Sequence, residues 1–469
     1  MASDLIISVS GLRGIVGESL TPEVARRYAA AFADTLPEGP VVVTRDGRAN
    51  GGALVGPVVE GLGAGGTAPV FDGGIAATPT TGVLVRHHRC AGGVQISASH
   101  NPAEYNGIKL FSAEGRVVPG EVGRRVQERF ACDANCEAKT VQRGRTAGQA
   151  SSSTRALPLA DTVSAHLAYV ESIVDIGLIR AKSYRVLLDA NHGSGSVLGK
   201  PLLERLGCEV VVLGGMPDGH FSHAPEPTAE NLAGVLAEVI SAGADVGFCQ
   251  DPDADRLAII DEGGRYLGEE YTLALCVDHV LRRTPGPVVT NCSTSRMSED
   301  LARKHGVPCF RSAVGEANVV DEMLRRRAAI GGEGNGGVID PRVGLVRDSF
   351  VGMALVLDAL AARELPVSAL ADELPRYSIC KTKVELPLAA VTGAWDALER
   401  HFAEAESNRL DGLRLDFVGH AMPPDRRGAW LLVRPSNTEP IVRIIAEAAT
   451  EGNAQRLCDD ARTVIRSFR

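Results

Sequence analysis

Three short β-branched runs set the frame for this chain: Val41-Val42-Val43-Thr44, Val186-Leu187-Leu188-Asp189 and Val288-Val289-Thr290-Asn291. Each enters a polar turn and then a helical pattern. The turns are Arg45-Asp46-Gly47-Arg48, Ala190-Asn191-His192-Gly193-Ser194-Gly195 and Cys292-Ser293-Thr294-Ser295. Strand, turn, helix, strand is the signature of a sheet with helices on its faces. The starts lie 145 and then 102 residues apart, which predicts three similar α/β units.

A chain of 469 residues is too long for one hydrophobic core, and length alone implies about three domains. Hydrophobic residues at 44% exclude a disordered chain, and aromatics at 4% leave the cores to Ala, Val, Leu and Ile. Thr21-Pro22-Glu23 is a helix start: a hydroxyl cap, Pro in the first turn, an acid at the positive end. Residues 131–153 are polar without apolar periodicity and read as an exposed connection or insertion. Further divisions fall just after Arg256 and near Leu374-Pro375-Arg376. A strand-rich pattern begins at Cys380, and the chain ends in a helix from Gly452 to Phe468.

The net charge is −9, with no basic run, which argues against nucleic acid as a partner. Leu5 to Val9 is too short for a signal segment and lacks a basic flank. No apolar stretch approaches a membrane span. A soluble, cytoplasmic protein is expected. The 10 Cys are scattered, and only Cys132 and Cys136 lie close together. A single C-x3-C is a weak metal signal, so reduced thiols are expected.

Four loops carry residues suited to chemistry. In Asp251-Pro252-Asp253-Ala254-Asp255-Arg256, alternate residues of an extended or looping backbone share a side, so three carboxylates converge. A hard divalent cation, Mg²⁺, relieves their repulsion. An EF-hand fits poorly, because Arg256 stands where that loop needs Gly and the flanks read as strands. Ser97-Ala98-Ser99-His100-Asn101-Pro102 follows an apolar strand, Gly93–Ile96. Beside His100 and Lys109, its serine can act as nucleophile or phosphate carrier, or the loop is a plain polar turn. Gly332-Glu333-Gly334-Asn335-Gly336-Gly337 brings backbone close to a ligand, with Glu333 and Asn335 suited to sugar hydroxyls, or it is a Gly-rich hairpin. Arg434-Pro435-Ser436-Asn437-Thr438-Glu439-Pro440 joins two strands and offers a phosphate cradle, or is a polar hairpin loop.

Other matches fail. Gly61 to Gly66 fits G-x-G-x-x-G, but it follows a helical run and precedes a strand, the reverse of a dinucleotide site. No G-x-x-x-x-G-K-[ST] loop and no G-x-S-x-G elbow occurs.

Together the four loops resemble those of the α-D-phosphohexomutase superfamily, in its order: phosphoserine, metal, sugar and phosphate loops. Ser10-Gly11-Leu12-Arg13-Gly14 is similar to its active-site arginine segment. The resemblance spans essentially the whole chain. It implies an α/β fold of four domains around a central cleft, three similar α/β domains with mixed sheets and a smaller C-terminal α+β domain. The expected divisions are 1–153, 154–256, 257–374 and 375–469.

The implied activity is reversible phosphoryl transfer within a hexose phosphate, through phosphoserine and a hexose 1,6-bisphosphate intermediate. Asp251, Asp253 and Asp255 would hold Mg²⁺ against the Ser99 phosphate. Lys109, His100, Arg13 and Arg256 would surround the transferred group. Glu333 and Asn335 would read ring hydroxyls, and Arg434, Ser436, Asn437 and Thr438 would grip the phosphate that is not reacting. Many relatives end the sugar loop in His, where this chain has Gly337. Lys109, its pKa lowered among cations, is then the expected base. The loops are most similar to a branch acting on glucosamine phosphate, with glucose and mannose phosphates as alternatives. A non-catalytic sugar-phosphate sensor is the reading from another class. Expected partners are hexose phosphates alone, without nucleic acid or membrane, in a monomer or homodimer.

Overall fold

The computed structural model describes residues 5–64, 69–141, 155–419, 422–436 and 441–468, with backbone alone for 133–141. Four sheets follow one another along the chain. The first has seven strands, in the order Ile6–Ser8, Gly11–Ile15, Tyr105–Ser112, Gly92–Ile96, Val41–Arg45, Val70–Ile75, Leu157–Pro158. The second orders Leu257–Asp261, Val246–Gln250, Arg185–Asp189, Glu209–Leu213, and the third Cys309–Ser312, Val288–Asn291, Ile330–Glu333, Gly337–Ile339. The fourth is antiparallel throughout: Ser378–Glu385, Ile441–Ala448, Trp430–Pro435, Leu413–Asp416, Glu406–Asn408.

The three β-branched runs are central parallel strands of the first three sheets, each paired in parallel on both sides. All of Val41–Val43 and Val186–Leu188 are buried, as strands covered on both faces must be. Helices close those faces. Pro22–Ala33 starts where Thr21 accepts a hydrogen bond from the Val24 amide, the cap read from the sequence. Its Tyr28, Ala29 and Phe32 are buried against the first sheet's core.

Pairing moves two of the expected divisions. Leu157–Pro158 pairs with Val70–Ile75, so the first sheet continues past residue 153. Leu257–Asp261 is antiparallel to Val246–Gln250 over five residue pairs, so the division after Arg256 falls inside a hairpin. The apolar run Leu257–Ile260 could not be left outside the sheet: all four residues are buried. In the polar stretch 131–153, helix Gly120–Val141 continues through the first part, and the rest lies outside the described residues. No helix among the described residues is long and apolar enough to cross a membrane.

Candidate active site

Each of the four loops joins the same two kinds of element. The serine loop connects Gly92–Ile96 to its antiparallel neighbour Tyr105–Ser112, and the metal loop connects Val246–Gln250 to Leu257–Asp261. The sugar loop turns Ile330–Glu333 back into Gly337–Ile339, and the phosphate loop lies between Trp430–Pro435 and Ile441–Ala448. All four are hairpin connections, and in the first three the incoming strand runs parallel to its central neighbour. Their loops therefore leave the carboxyl ends of the strands, where open α/β sheets hold ligands.

Ser99 is buried and has φ +50°, left-handed backbone that costs a non-glycine residue about 1–3 kcal/mol. Polar contacts hold it there. Its amide donates to Ser97 Oγ at 2.9 Å, and Ser97 Oγ donates to Asp46 at 2.7 Å. Arg48, fully buried, donates to the carbonyls of Ser99, Asn101 and Pro102 at 2.5–2.6 Å. Ser99 Oγ consequently points across to the second domain and donates to Asp251 Oδ2 at 2.7 Å.

Asp251, Asp253 and Asp255 are completely buried, with one ligand atom of each inside a 4.8 Å cluster. A turn produces this convergence, in place of an extended strand: Ala254 has φ +55° and its amide closes back onto the Asp251 carbonyl at 2.9 Å. Three domains grip the loop's backbone. Ser194 donates to Pro252, Thr78 to Asp253 and Ser349 to Ala254, each through its amide at 2.8–3.3 Å. Burial, then Asp255 and Asp253, push the Asp251 carboxyl well above the usual range. Asp253 Oδ1 and Asp255 Oδ1 are buried without a hydrogen-bond partner among the described residues. Uncompensated carboxylate oxygens in a dry cluster fit a small hard cation, and Mg²⁺ suits an all-oxygen donor set.

The basic residues divide. Lys109 Nζ sits on Asp253 and Asp255, at 2.5 and 2.9 Å. Burial disfavours its charge, but those two carboxylates prevail and raise its pKa. The expected lowering rested on cationic neighbours; Arg347 and Arg13 are present and act that way, but the two acids outweigh them. Arg13 Nη1 donates to Asn101 Oδ1 at 3.0 Å, and Arg256 faces Glu226 at 3.4 Å and Asp255 at 3.9 Å. His100 Nδ1 lies 3.3 Å from Ser99 Oγ, and burial, with Arg256 and Arg13 nearby, lowers its pKa to about 3. Arg13, His100, Lys109 and Arg256 all line one cleft of about 630 Å³, which also reaches Glu333 and Asn335.

Glu333 is buried and already partnered. It accepts from Asn291 at 2.7 Å, from the Gly315 amide at 3.2 Å and from Arg347 at 2.9 Å. Asn335 Oδ1 is buried without a partner among the described residues. Arg434 Nη2 lies 3.4 Å from Asp411, and the Ser436 amide donates to the Ile441 carbonyl at 2.9 Å. Asn437 and Thr438 lie outside the described residues.

Two arginines of this site were not picked out from the sequence as site residues. Arg48 ends the first of the polar turns, a position that alone signals nothing beyond a turn. Arg347 Nη2 reaches Asp255 at 2.7 Å, Nη1 reaches Glu333, and Nε reaches Glu316 at 3.3 Å. It joins the metal loop to the sugar loop. Its one sequence signal is its place before Asp348, which caps helix Ser349–Arg363.

Family models match along nearly the whole chain. They are phosphoglucomutase/phosphomannomutase α/β/α domain I at 5–135, domain II at 164–264, domain III at 269–377 and the C-terminal domain at 383–464. The chain belongs to the phosphoglucomutase/phosphomannomutase family. It is a phosphohexomutase, an isomerase that moves a phosphoryl group within a hexose phosphate. A protein of Thermococcus kodakarensis named phosphoglucomutase/phosphomannomutase is 37% identical over 95% of each chain. A probable phosphoglucosamine mutase of Methanopyrus kandleri is 33% identical over 97% of each. The crystal structure of a phosphoglucomutase/phosphomannomutase family protein from Burkholderia thailandensis superposes with TM-score 0.82 at 26% identity, covering 99% of this chain and 98% of that one.

Proposed function

We propose that Ser99 carries the phosphoryl group of this phosphohexomutase, and that glucosamine 6-phosphate and glucosamine 1-phosphate are its preferred pair. One observation carries the role of Ser99: its hydroxyl, held in left-handed backbone, lies 2.7 Å from Asp251 in a buried cluster of three carboxylates. In the forward half, the bond between phosphorus and Ser99 Oγ breaks as a bond forms to a sugar hydroxyl, whose proton ends on the released Ser99 oxygen. The product is a hexose 1,6-bisphosphate. After it turns, its other phosphoryl group returns to Ser99.

Asp251, Asp253 and Asp255 would hold Mg²⁺, which neutralises phosphoryl charge when bound. Lys109 lies on the other oxygens of Asp253 and Asp255 and would bring a further positive charge to the transferred group. Arg13, which donates to Asn101, and His100, 3.3 Å from Ser99 Oγ, lie beside the serine loop in the same cleft. Positioning and charge neutralisation are the main demands of phosphoryl transfer, and these residues supply both. Glu333 and Asn335 face the sugar, and Arg434 with loop 436–440 takes the other phosphate.

Glucosamine phosphate is supported by the carboxylates of Glu333 and Glu270 in the sugar cavity, which suit a 2-ammonium group, and by the name of the Methanopyrus relative. Glucose and mannose phosphates form the second reading, favoured by the name of the Thermococcus relative. The test is kcat/KM on glucosamine, glucose and mannose phosphates side by side, with Mg²⁺ and a hexose 1,6-bisphosphate primer. A lead for glucosamine phosphate upholds the first reading, and a lead for either other sugar replaces it. No turnover, with no phosphate on Ser99 by intact mass, would favour a sensor.

A further inference from the structure

The cleft has a charged wall that the four loops do not account for. In the fourth sheet, Lys383 lies opposite Arg443, and Arg443 opposite Arg434. Residues opposite one another in an antiparallel sheet project from the same face. Here that face points away from the domain's core, because Val384, Val442, Ile444 and Val433 fill the core from the other side. Lys381, two residues along, projects with them. Lys381, Lys383 and Arg443 line a cavity of about 700 Å³ that is also lined by Glu270, Asn291, Glu333 and Asn335.

Like charges directly opposite destabilise a sheet. Lys381 is offset in part by the charges of Glu269 and Glu270, while no acid pairs with Lys383 or Arg443 among the described residues. Arg434 has Asp411 at 3.4 Å. Lys381, Lys383 and Arg443 are exposed and have no ion pair among the described residues. A phosphate monoester brings a charge of about −1.5 to −2. Arg434, whose buried Nε has no partner among the described residues, and its loop suit one such group. Three more cations exceed what one phosphate needs and match a molecule that carries two.

We propose that Lys381, Lys383 and Arg443 form a holding wall, which retains the sugar bisphosphate in the cleft while it turns between the two transfers. This rests on the bisphosphate reading above. No bond is made or broken at the wall. Its selectivity is a matter of charge: a monophosphate carries half the negative charge and leaves, while the bisphosphate stays. The wall's residues are therefore positioning residues, and transfer at Ser99 does not require them.

The test uses the full-length enzyme and glucose 1,6-bisphosphate labelled in its phosphoryl groups. Wild type is compared with Lys381→Gln/Lys383→Gln and with the Lys381→Arg/Lys383→Arg pair. At saturating bisphosphate, the labelling rate of Ser99 should stay within about twofold in the glutamine variant. Bisphosphate escaping per monophosphate product should rise about tenfold, and the arginine pair should restore retention. Both lysines are exposed, and the melting temperature of each variant reports that it is folded. An unchanged escape ratio with wild-type labelling overturns the wall alone. Labelling that falls as much as retention overturns it too, since the lysines would then serve the transfer itself. Failure of wild type to take label on Ser99 removes the reading beneath the wall, and the wall with it.

Discussion

The Arg48 guanidinium holds the Ser99 loop by its backbone: Nη2 donates to the Ser99 carbonyl and Nη1 to the Pro102 carbonyl, each at 2.6 Å. Its Nε lies 3.2 Å from Asp46, and its guanidinium carbon stands 5.0 Å from the centre of the Phe221 ring. A fork of five donors meets carbonyls that a single ammonium cannot serve together. Arg48→Lys should cost about 3 kcal/mol of stability, within the range for a broken buried ion pair. It should also slow the labelling of Ser99 by a hexose 1,6-bisphosphate about 100-fold, through lost alignment. Calorimetry and a labelling time course check the two effects separately.

The acid cluster makes an opposite prediction for stability. Burial and the neighbouring Asp255 and Asp253 hold the Asp251 carboxyl well above its usual range. Asp251→Asn replaces a carboxyl whose charge the crowded, dry site disfavours, so the metal-free protein should melt no lower than wild type. Wild type should gain about 2.7 kcal/mol from Mg²⁺ at 100 times its dissociation constant, and the variant should lose most of that gain. Thermal scans with and without Mg²⁺ decide it, and a variant that keeps the gain contradicts the assignment of Asp251 as a ligand.

Gly193 tests how tightly the metal loop is gripped. A Cβ there would lie 2.6 Å from the Pro252 carbonyl oxygen and 2.7 Å from Pro252 Cα, both backbone atoms. Gly193→Ala must displace the loop. The expected cost is about 1–3 kcal/mol, as for other overpacked sites, together with weaker Mg²⁺ binding. Mg²⁺ titration followed by melting temperature measures both.

A pH effect away from the cleft comes from His223, whose Nε2 lies 2.8 Å from Asp189. Burial lowers its pKa, but the bond to Asp189 and the charge beside it prevail, and the value stands above 6.5. The folded protein thus holds this proton more tightly than the unfolded chain. The stabilisation is full below 6.5 and is lost as pH rises through the raised value. The stability difference between wild type and His223→Gln should shrink from about 1 kcal/mol near pH 6 to almost nothing near pH 9. Urea unfolding at the two pH values measures it.

What the sequence made legible follows from where the partners lie. Asp251, Asp253 and Asp255 are neighbours in the chain, so their convergence could be read from spacing, although the turn at Ala254 could not. The hairpin readings of the sugar and phosphate loops match the antiparallel pairing of the strands on either side of them. Arg48 and Arg347 were out of reach. Arg48 meets Ser99 across 51 positions and Arg347 meets Asp255 across 92, and no periodicity connects such pairs. Lys109 shows a different limit. Its presence near the cluster was legible, but the sign of its surroundings depends on strand Tyr105–Ser112 aiming it at the acids. The division after Arg256 failed because a loop rich in chemistry looks like a linker.

Pro252, Asp253 and Ala254 give three consecutive carbonyls to Ser194, Thr78 and Ser349, one from each of the first three domains. One apolar core is shared by the second and third domains, from Leu188 and Phe248 to Phe350 and Leu374, and includes Ala77 of the first. The first domain has its own main core, and Val346 of the third packs into a smaller one there. The fourth domain has its own core, and its apolar seam to the third is small, Trp430 and Leu432 against Cys292. Heating should therefore melt the molecule in two calorimetric steps, the fourth domain first and the other three together. Between those steps the protein would still accept phosphate on Ser99 while having lost its hold on the sugar's far end.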